Sequence, residues 1–211
     1  MGEAAACYTC ESMPETLADT PTLEEAQGRV AAAFFGKARR AWVDAMPPDK
    51  DLWVLEIGCG GGATGALALK EGKCGAWIGV ETDPKAASDA LFALTDVIGF
   101  DPADEALPYA RAAFGLVFVG PGVAAFRKPW RTLKAIAPLL RPGGRLILSV
   151  PARGALTKAE RKAGFAEGSV RALLKRAGFE PLMVKAIGGK AGFLGLGAKP
   201  SQRIEAVARR K

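Results

Sequence analysis

One segment of this 211-residue chain constrains its fold more than any other: an apolar run that ends in clustered glycines. The run is Val54-Leu55-Glu56-Ile57, and the turn that follows is Gly58-Cys59-Gly60-Gly61-Gly62. A helix-compatible stretch, residues 63–70, comes next. This order predicts a buried parallel strand, a tight turn and a helix N-terminus. Because glycine has no Cβ, the turn also predicts that the backbone comes close to a bound ligand.

Two carboxylates indicate what kind of ligand this is. Glu81 ends a second predicted strand, at about the position where a carboxylate accepts hydrogen bonds from ribose hydroxyls. Gly58, Gly60 and Ala63 also satisfy the dinucleotide fingerprint, so both interpretations predict a ligand that contains a nucleoside. Glu56 repels a pyrophosphate and attracts a cation, and therefore favours a cofactor with an ammonium group. A nicotinamide dinucleotide is the alternative.

Four motifs, in order along the chain, resemble those of the class I S-adenosylmethionine-dependent methyltransferases. The first motif of that family looks like E-x-G-x-G-G, and an acidic residue ends its second strand. Later come a helix that runs into L-R-P-G-G-x-L, and an L-x-x-A-G-F motif. The matching residues, within a region of roughly 50–188, are Glu56, Gly58, Gly60 and Gly61, then Glu81, then Leu140-Arg141-Pro142-Gly143-Gly144-Arg145-Leu146, and then Leu174 to Phe179.

The resemblance implies S-adenosylmethionine as the cofactor and transfer of its methyl group as the activity. It also implies a set of binding residues along the carboxyl ends of the strands, where ligands of such sheets bind. Asp101 resembles the family carboxylate that accepts from the adenine amino group; Asp104 is its rival, and a loop cap is the alternative role for either. The predicted cofactor-binding residues are Glu56, Gly58, Cys59, Gly60, Gly61, Glu81, Thr82, Asp101 and Gly120.

Strands that alternate with helices predict a doubly wound, mostly parallel, Rossmann-like α/β fold. The resemblance implies seven strands, the last of them inserted antiparallel. Strands are predicted at residues 54–57, 76–80, 95–100, 114–119, 144–150, 182–187 and 204–208, and helices at about 22–46, 63–70, 84–94, 128–140 and 169–177.

Residues 1–48 are expected to form an N-terminal extension, and residues 49–211 a methyltransferase domain. The helix in the extension has an apolar stripe that is expected to pack in the core. The alternative is a lid, because an N-terminal helix often covers the cofactor in the family that the chain resembles. The stripe consists of Val30, Phe34, Phe35 and Trp42.

Charge is distributed unevenly along the chain. Residues 1–125 carry 9 basic and 18 acidic side chains, a net charge of −9, whereas residues 126–211 carry 20 basic and 4 acidic, a net charge of +16. This asymmetry predicts an anionic partner, such as nucleic acid, a phosphorylated metabolite, an acidic glycan or a membrane surface. The alternative is a solvated basic surface. The basic residues that follow the fourth and fifth strands, where a methyl acceptor approaches, are Arg127, Lys128, Arg131, Arg153, Lys158, Arg161 and Lys162.

No catalytic residue is predicted. The chain contains no histidine, so the usual base with a near-neutral pKa is missing. Methyl transfer from a sulfonium is an in-line displacement, in which alignment supplies much of the rate. A hydroxyl acceptor would need Tyr109, Asp104 or a water as its base. The apolar Val123-Ala124-Ala125 segment after the fourth strand favours the alternative function, a catalytically inactive binding module or partner subunit.

The remaining features exclude several classes of protein. Cys7 and Cys10 form a C-x-x-C pair, but a structural zinc would need two further ligands, so no metal site is predicted. No apolar run reaches the length of a membrane span, and no basic region of a secretory signal is visible. The four cysteines do not suggest a disulfide framework, and a cytoplasmic location is expected.

Overall fold

The computed structural model describes residues 40, 42–120, 128–153, 164–187 and 203–210. Its strands are β1 (Asp49–Ile57), β2 (Cys74–Val80), β3 (Asp96–Ile98), β4 (Phe114–Val119), β5 (Leu140–Pro151), β6 (Phe179–Ile187) and β7 (Arg203–Arg210). They form one seven-stranded sheet with the order β3-β2-β1-β4-β5-β7-β6. β7 lies antiparallel between β5 and β6, while the pairs among β1 to β5 are parallel. The predicted α/β fold with its last strand inserted antiparallel is therefore confirmed.

The described residues also contain α1 (Ala63–Lys70), α2 (Pro84–Leu91), α3 (Pro129–Ile136) and α4 (Glu167–Arg176). Asp83 caps α2, because its side chain accepts a hydrogen bond from the Ala86 N–H at 2.6 Å. The predicted helix 128–140 ends early: after α3 the chain continues as a 3-10 turn, Ala137–Leu139. Pro138 explains this boundary, since proline has no N–H to continue the α-helical hydrogen bonds.

The fifth strand begins four residues earlier than the predicted 144–150. Leu140 already pairs with Phe114 at the start of β4, and the register then shifts before Arg145 pairs with Leu116. Gly143 lies in this irregular stretch with a left-handed φ of 76°. The Pro-Gly-Gly sequence is therefore an irregularity inside a long strand and not only the turn that precedes one.

The sheet separates two hydrophobic layers. Along β1, Leu55 and Ile57 belong to one layer and Val54 to the other, as the alternation of side chains in a strand requires. The larger layer packs against α3 and α4 through residues such as Leu133 and Leu174. The second layer packs against α1 and α2 on the opposite face.

The end of the predicted N-terminal helix lies on this second layer. Residues 42–45 are helical. Val43 is fully buried, and the ring of Trp42 meets that of Phe118 edge to face, with centroids 4.4 Å apart. Core packing is therefore confirmed for Trp42. Val30, Phe34 and Phe35, and also Cys7 and Cys10, lie outside the described residues.

Membrane insertion finds no support in the helices: within the described part of the chain, none is long and apolar enough to cross a bilayer.

A pair of helical glycines tests how tightly the second layer is packed. A Cβ added to Gly65 in α1 would lie 2.4 Å from Cδ1 of Trp77 and 2.5 Å from Cδ2 of Leu94, whereas one added to Gly168 in α4 meets nothing within 4 Å. Gly65→Ala should therefore lower the free energy of unfolding by about 1–3 kcal/mol. Gly168→Ala, the control, should leave it unchanged or raise it by up to about 1 kcal/mol. Denaturant unfolding measures both, and equal changes would contradict the packing described.

Candidate functional site

The turn after β1 is built from glycines in a conformation that other residues rarely adopt. Gly58, Gly60 and Gly62 have φ angles of 72°, 53° and 76°, all in the left-handed region. Gly62 is also the residue that caps α1 at its N-terminus. Gly61 does not share this conformation, so the predicted set named Gly61 and missed the structural need for glycine at Gly62. The position of Gly62, immediately before the first helical residue of α1, could have indicated this need for glycine.

Backbone hydrogen bonds hold the carboxyl ends of four strands at one rim. The Gly58 N–H donates to the carbonyl of Val80 at 2.8 Å, which joins the glycine turn to the end of β2. The Gly120 N–H donates to the carbonyl of Ile57 at 3.1 Å, which joins the end of β4 to the end of β1. The Glu81 N–H donates to Ile98 at the end of β3. The predicted residues at these ends are therefore neighbours.

Glu81 is the most heavily hydrogen-bonded side chain of this rim. Its Oε2 accepts from the Gly60 N–H at 2.8 Å, and its Oε1 accepts from the N–H groups of Thr82 and Asp83 at 2.9 and 3.1 Å. The residue is only 7 % exposed. A carboxylate has about four acceptor positions, so these three bonds leave capacity for one more donor.

Glu56 is a buried carboxylate beside the same turn, and its partner is an indole. Glu56 is 2 % exposed and pairs in register with Gly79 of β2 and Phe118 of β4. The Trp77 Nε1–H donates to Oε2 of Glu56 at 2.8 Å. This bond fixes the orientation of the carboxylate. Trp77 was not among the predicted site residues, because a contact across neighbouring strands has no short sequence pattern.

The space at the turn fits a ligand on one side only. A Cβ added to Gly60 would meet no atom of the described residues within 4 Å, whereas one added to Gly79, beneath the turn, would lie 2.5 Å from Sγ of Cys59. The turn is therefore packed from below and open outward. Two buried carboxylates beside an open glycine turn suit a cationic ligand that carries hydroxyl donors.

Residues 55–148 match a protein-family model described as a methyltransferase domain. The matched stretch includes the glycine turn and both carboxylates. This stretch of the chain is similar to methyltransferases. The match supports the class I S-adenosylmethionine-dependent family that the sequence motifs indicated, in preference to the nicotinamide-dependent alternative.

Solved methyltransferases share the fold at low sequence identity. The putative methyltransferase solved with the Haloferax volcanii Trm112 methyltransferase activator is 15% identical, with a TM-score of 0.65, over 87% of this chain and 93% of that one. A SAM-dependent methyltransferase from Aquifex aeolicus is 12% identical, with a TM-score of 0.65, over 90% and 98%. The plantazolicin methyltransferase BpumL, solved with SAH, is 15% identical, with a TM-score of 0.64, over 93% of each chain. No curated protein matches this chain.

The cofactor of this methyltransferase family is S-adenosylmethionine, as the motifs predicted. The cofactor does not by itself identify the residues that bind it, as the contacts of Asp101 illustrate. Oδ1 of Asp101 accepts from the Ala103 N–H at 2.8 Å and from the Thr132 hydroxyl at 2.7 Å. Asp101 therefore caps its loop and anchors it to α3, which is the alternative role that the sequence left open. An adenine contact for Asp101 stays a prediction.

Two other residues with reactive side chains, Tyr109 and Cys59, lie in surroundings that do not suit catalysis. The Tyr109 hydroxyl donates to Asp96 at the amino end of β3, away from the rim, and burial raises the pKa of Tyr109. Tyr109 is therefore unsuited to serve as a base. Burial also raises the pKa of the Cys59 thiol, and the carboxylates of Glu56 and Glu81 raise it further. Cys59 is protonated at neutral pH and is not a nucleophile.

The bond between Trp77 and Glu56 can be measured by a double-mutant cycle. Trp77→Phe removes the donor and leaves a buried carboxylate with one hydrogen bond fewer, which should cost about 1.5–3 kcal/mol of unfolding free energy. In a Glu56→Gln background the same substitution should cost less, because the charge that the bond satisfies is absent. Denaturant unfolding of the four proteins gives the coupling. Additive effects would mean that the indole does not hold the carboxylate.

Proposed function

We propose that this chain is an active enzyme that transfers the methyl group of S-adenosylmethionine to an anionic acceptor at the carboxyl rim of the sheet. The observation that carries the proposal is the pair of buried carboxylates, Glu56 and Glu81, at an open glycine turn. The comparisons support methyl transfer as the reaction class. The acceptor and the residue roles below are our inference.

Each part of the rim has a role in holding the cofactor. Glu81 accepts from the ribose hydroxyls with its remaining acceptor position, and Glu56 faces the ammonium group. The turn brings its backbone close to the amino-acid moiety because its glycines carry no side chain. Asp101 lies beside the adenine. The other residues proposed to line the cofactor are Gly58, Cys59, Gly60, Gly61, Thr82 and Gly120.

The chain contributes alignment to the reaction and not proton transfer. When bound, S-adenosylmethionine supplies an electrophilic methyl group on a positively charged sulfur. The rim fixes the direction from which a nucleophile approaches, and alignment of this kind lowers the barrier of an in-line displacement. The chain has no histidine, and Tyr109 is held by Asp96. The acceptor is therefore a carboxylate, a thiolate or a neutral amine, whose lone pair needs no side-chain base.

Basic side chains at the same rim favour an anionic acceptor. Arg153 follows β5, and it is exposed, with its backbone N–H bonded to the Phe165 carbonyl at 2.8 Å. β5 is the second strand from β1, so the lateral separation of these two strands in the sheet is about 10 Å. Lys128, also exposed, precedes α3 at the return from β4. Such charges raise the local concentration of an anion. Arg127, Lys158, Arg161 and Lys162 lie outside the described residues.

The N-terminal residues are proposed to cover the cofactor. Trp42 lies on Phe118, which pairs with Glu56 across the strands. The helical residues 42–45 thus reach the sheet next to the ammonium subsite. We retain residues 1–48 as an extension with this role and residues 49–211 as the methyltransferase domain.

Glu81→Gln tests the cofactor assignment. The substitution removes the negative charge and keeps the size of the side chain, but its single amide oxygen can accept either from Gly60 or from Thr82 and Asp83, so one of these hydrogen-bonding positions is lost as well. Loss of charged hydrogen bonds, worth about 1.5–3 kcal/mol, should weaken S-adenosylhomocysteine binding about tenfold to a hundredfold. Calorimetric titration measures this, with Glu180→Gln at the other edge of the sheet as the control. Tight NAD binding without any response to S-adenosylhomocysteine would refute the assignment.

Arg153→Glu tests the anionic acceptor. A panel of anionic carboxylates, thiols and amines, each matched with an uncharged analogue, is screened for transfer of a radiolabelled methyl group. The substitution should raise the KM of the accepted anion and spare cofactor affinity, and added salt should raise the wild-type KM because exposed charges are screened. Arg145→Glu, an exposed position in the middle of β5, is the control. Turnover that ignores salt, with a wild-type KM in Arg153→Glu, would assign this charge to solubility alone.

A further inference from the structure

Exposed cations surround a half-buried tryptophan on the sheet face that α3 and α4 cover. α3 contributes one side of the cluster, including a lysine one turn beyond the tryptophan, and the last turn of α4 contributes the other. Both helices pack on the larger hydrophobic layer, away from α1 and α2. This cluster, the Trp130 patch, consists of Trp130, Lys128, Arg131, Lys134, Lys175 and Arg176.

Two guanidinium groups from different helices share the ring of Trp130. The Cζ atom of Arg176 lies 3.9 Å from the ring centroid, and that of Arg131 lies 5.4 Å from it. The ring attracts each cation and holds its planar group in a fixed orientation. The two like charges are also held near each other, so an anion bound between them would be favoured.

The described residues do not neutralise the Trp130 patch. Within the part of the chain that the structure describes, no carboxylate lies within ion-pair distance of these five cations. α3 contains no acid, and the acid in the first turn of α4, Glu167, accepts a hydrogen bond from the Ala186 N–H at 2.8 Å. The acidic loop that begins at Asp101 contacts α3 through Thr132, which faces the core and not the patch.

We propose that the Trp130 patch binds single-stranded nucleic acid. Sites for single strands combine cations that contact the phosphates with planar groups on which unpaired bases stack. The stacked Trp130 and arginines supply the planar groups, and Lys128, Lys134 and Lys175 extend the positive charge along both helices. The proposal does not depend on methyl transfer, since the patch is defined without reference to the cofactor.

The composition of the patch argues against two other polyanionic partners. A membrane surface is bound most firmly where apolar side chains insert beside the cations. The exposed large apolar residues of the described chain all lie outside α3 and α4: Trp53, Leu91, Phe92, Leu182 and Met183. An acidic protein segment would pair with the cations, but its acidic side chains would not stack on the planar groups of Trp130 and the two arginines.

Fluorescence anisotropy of the full chain without cofactor tests the proposal. The probe is a labelled single-stranded RNA of about 16 nucleotides, titrated between about 50 and 200 mM salt. Arg131→Glu with Arg176→Glu should weaken binding about tenfold or more and flatten the salt slope by about 0.7 for each phosphate that the protein no longer neutralises. Lys134→Glu with Lys175→Glu should act in the same direction, and because these lysines are exposed, that variant keeps the fold.

Two further variants separate stacking from charge. Arg131→Lys with Arg176→Lys keeps the charge but not the planar group, so it should weaken RNA binding while preserving the salt slope. Lys50→Glu with Lys70→Glu changes net charge equally, on β1 and α1, and should have little effect. Equal weakening by this control would overturn the proposal. So would tighter binding of duplex RNA, polyglutamate or phosphatidylserine vesicles than of the single strand, if that binding disappears in Arg131→Glu with Arg176→Glu.

Discussion

The carboxylate of Glu81 is the group on which the geometry of the rim depends. Through Gly60, Thr82 and Asp83 it joins the glycine turn after β1 to the end of β2. A buried N–H without a partner costs about 1–3 kcal/mol, so this carboxylate stabilises the glycine turn together with the backbone bond from Gly58 to Val80. The side chain proposed to hold the ribose therefore also builds the turn. An alanine at this position removes both oxygens, whereas a glutamine keeps one of the two and therefore disturbs the turn less.

The packing beneath the glycine turn holds the second carboxylate, Glu56, in a fixed orientation. The large indole of Trp77 reaches Glu56 because Gly65 leaves room where another residue would place a Cβ. A buried charge is tolerated only with such partners. The apolar layer on this face thus does more than fill space, because it fixes the direction of a negative charge next to the cofactor turn.

Local patterns predicted much of the fold, and long-range contacts account for most of what they missed. β4 and α1 have the predicted bounds, since periodicity and glycine punctuation are properties of short segments. The early start of β5 depends on pairing with Phe114, which no local pattern contains. The same holds for the site. The glycine turn and the carboxylates could be predicted from short motifs. The bonds from Trp77 to Glu56 and from Thr132 to Asp101 could not, because they join distant parts of the chain.

The uneven distribution of charge along the sequence becomes an uneven distribution of charge across this sheet. The acidic first half contains β1 and β2, with the carboxylates at the glycine turn, and the basic second half contains β5, α3 and α4. Because the strand order places β5 second from β1, with only β4 between them, the two halves meet at one rim instead of lying at opposite ends of the sheet. The cationic cofactor and the proposed anionic acceptor would then be attracted to adjacent regions, and each would be repelled by the region of the other. Charge separation along the chain can in this way set the side from which each ligand approaches.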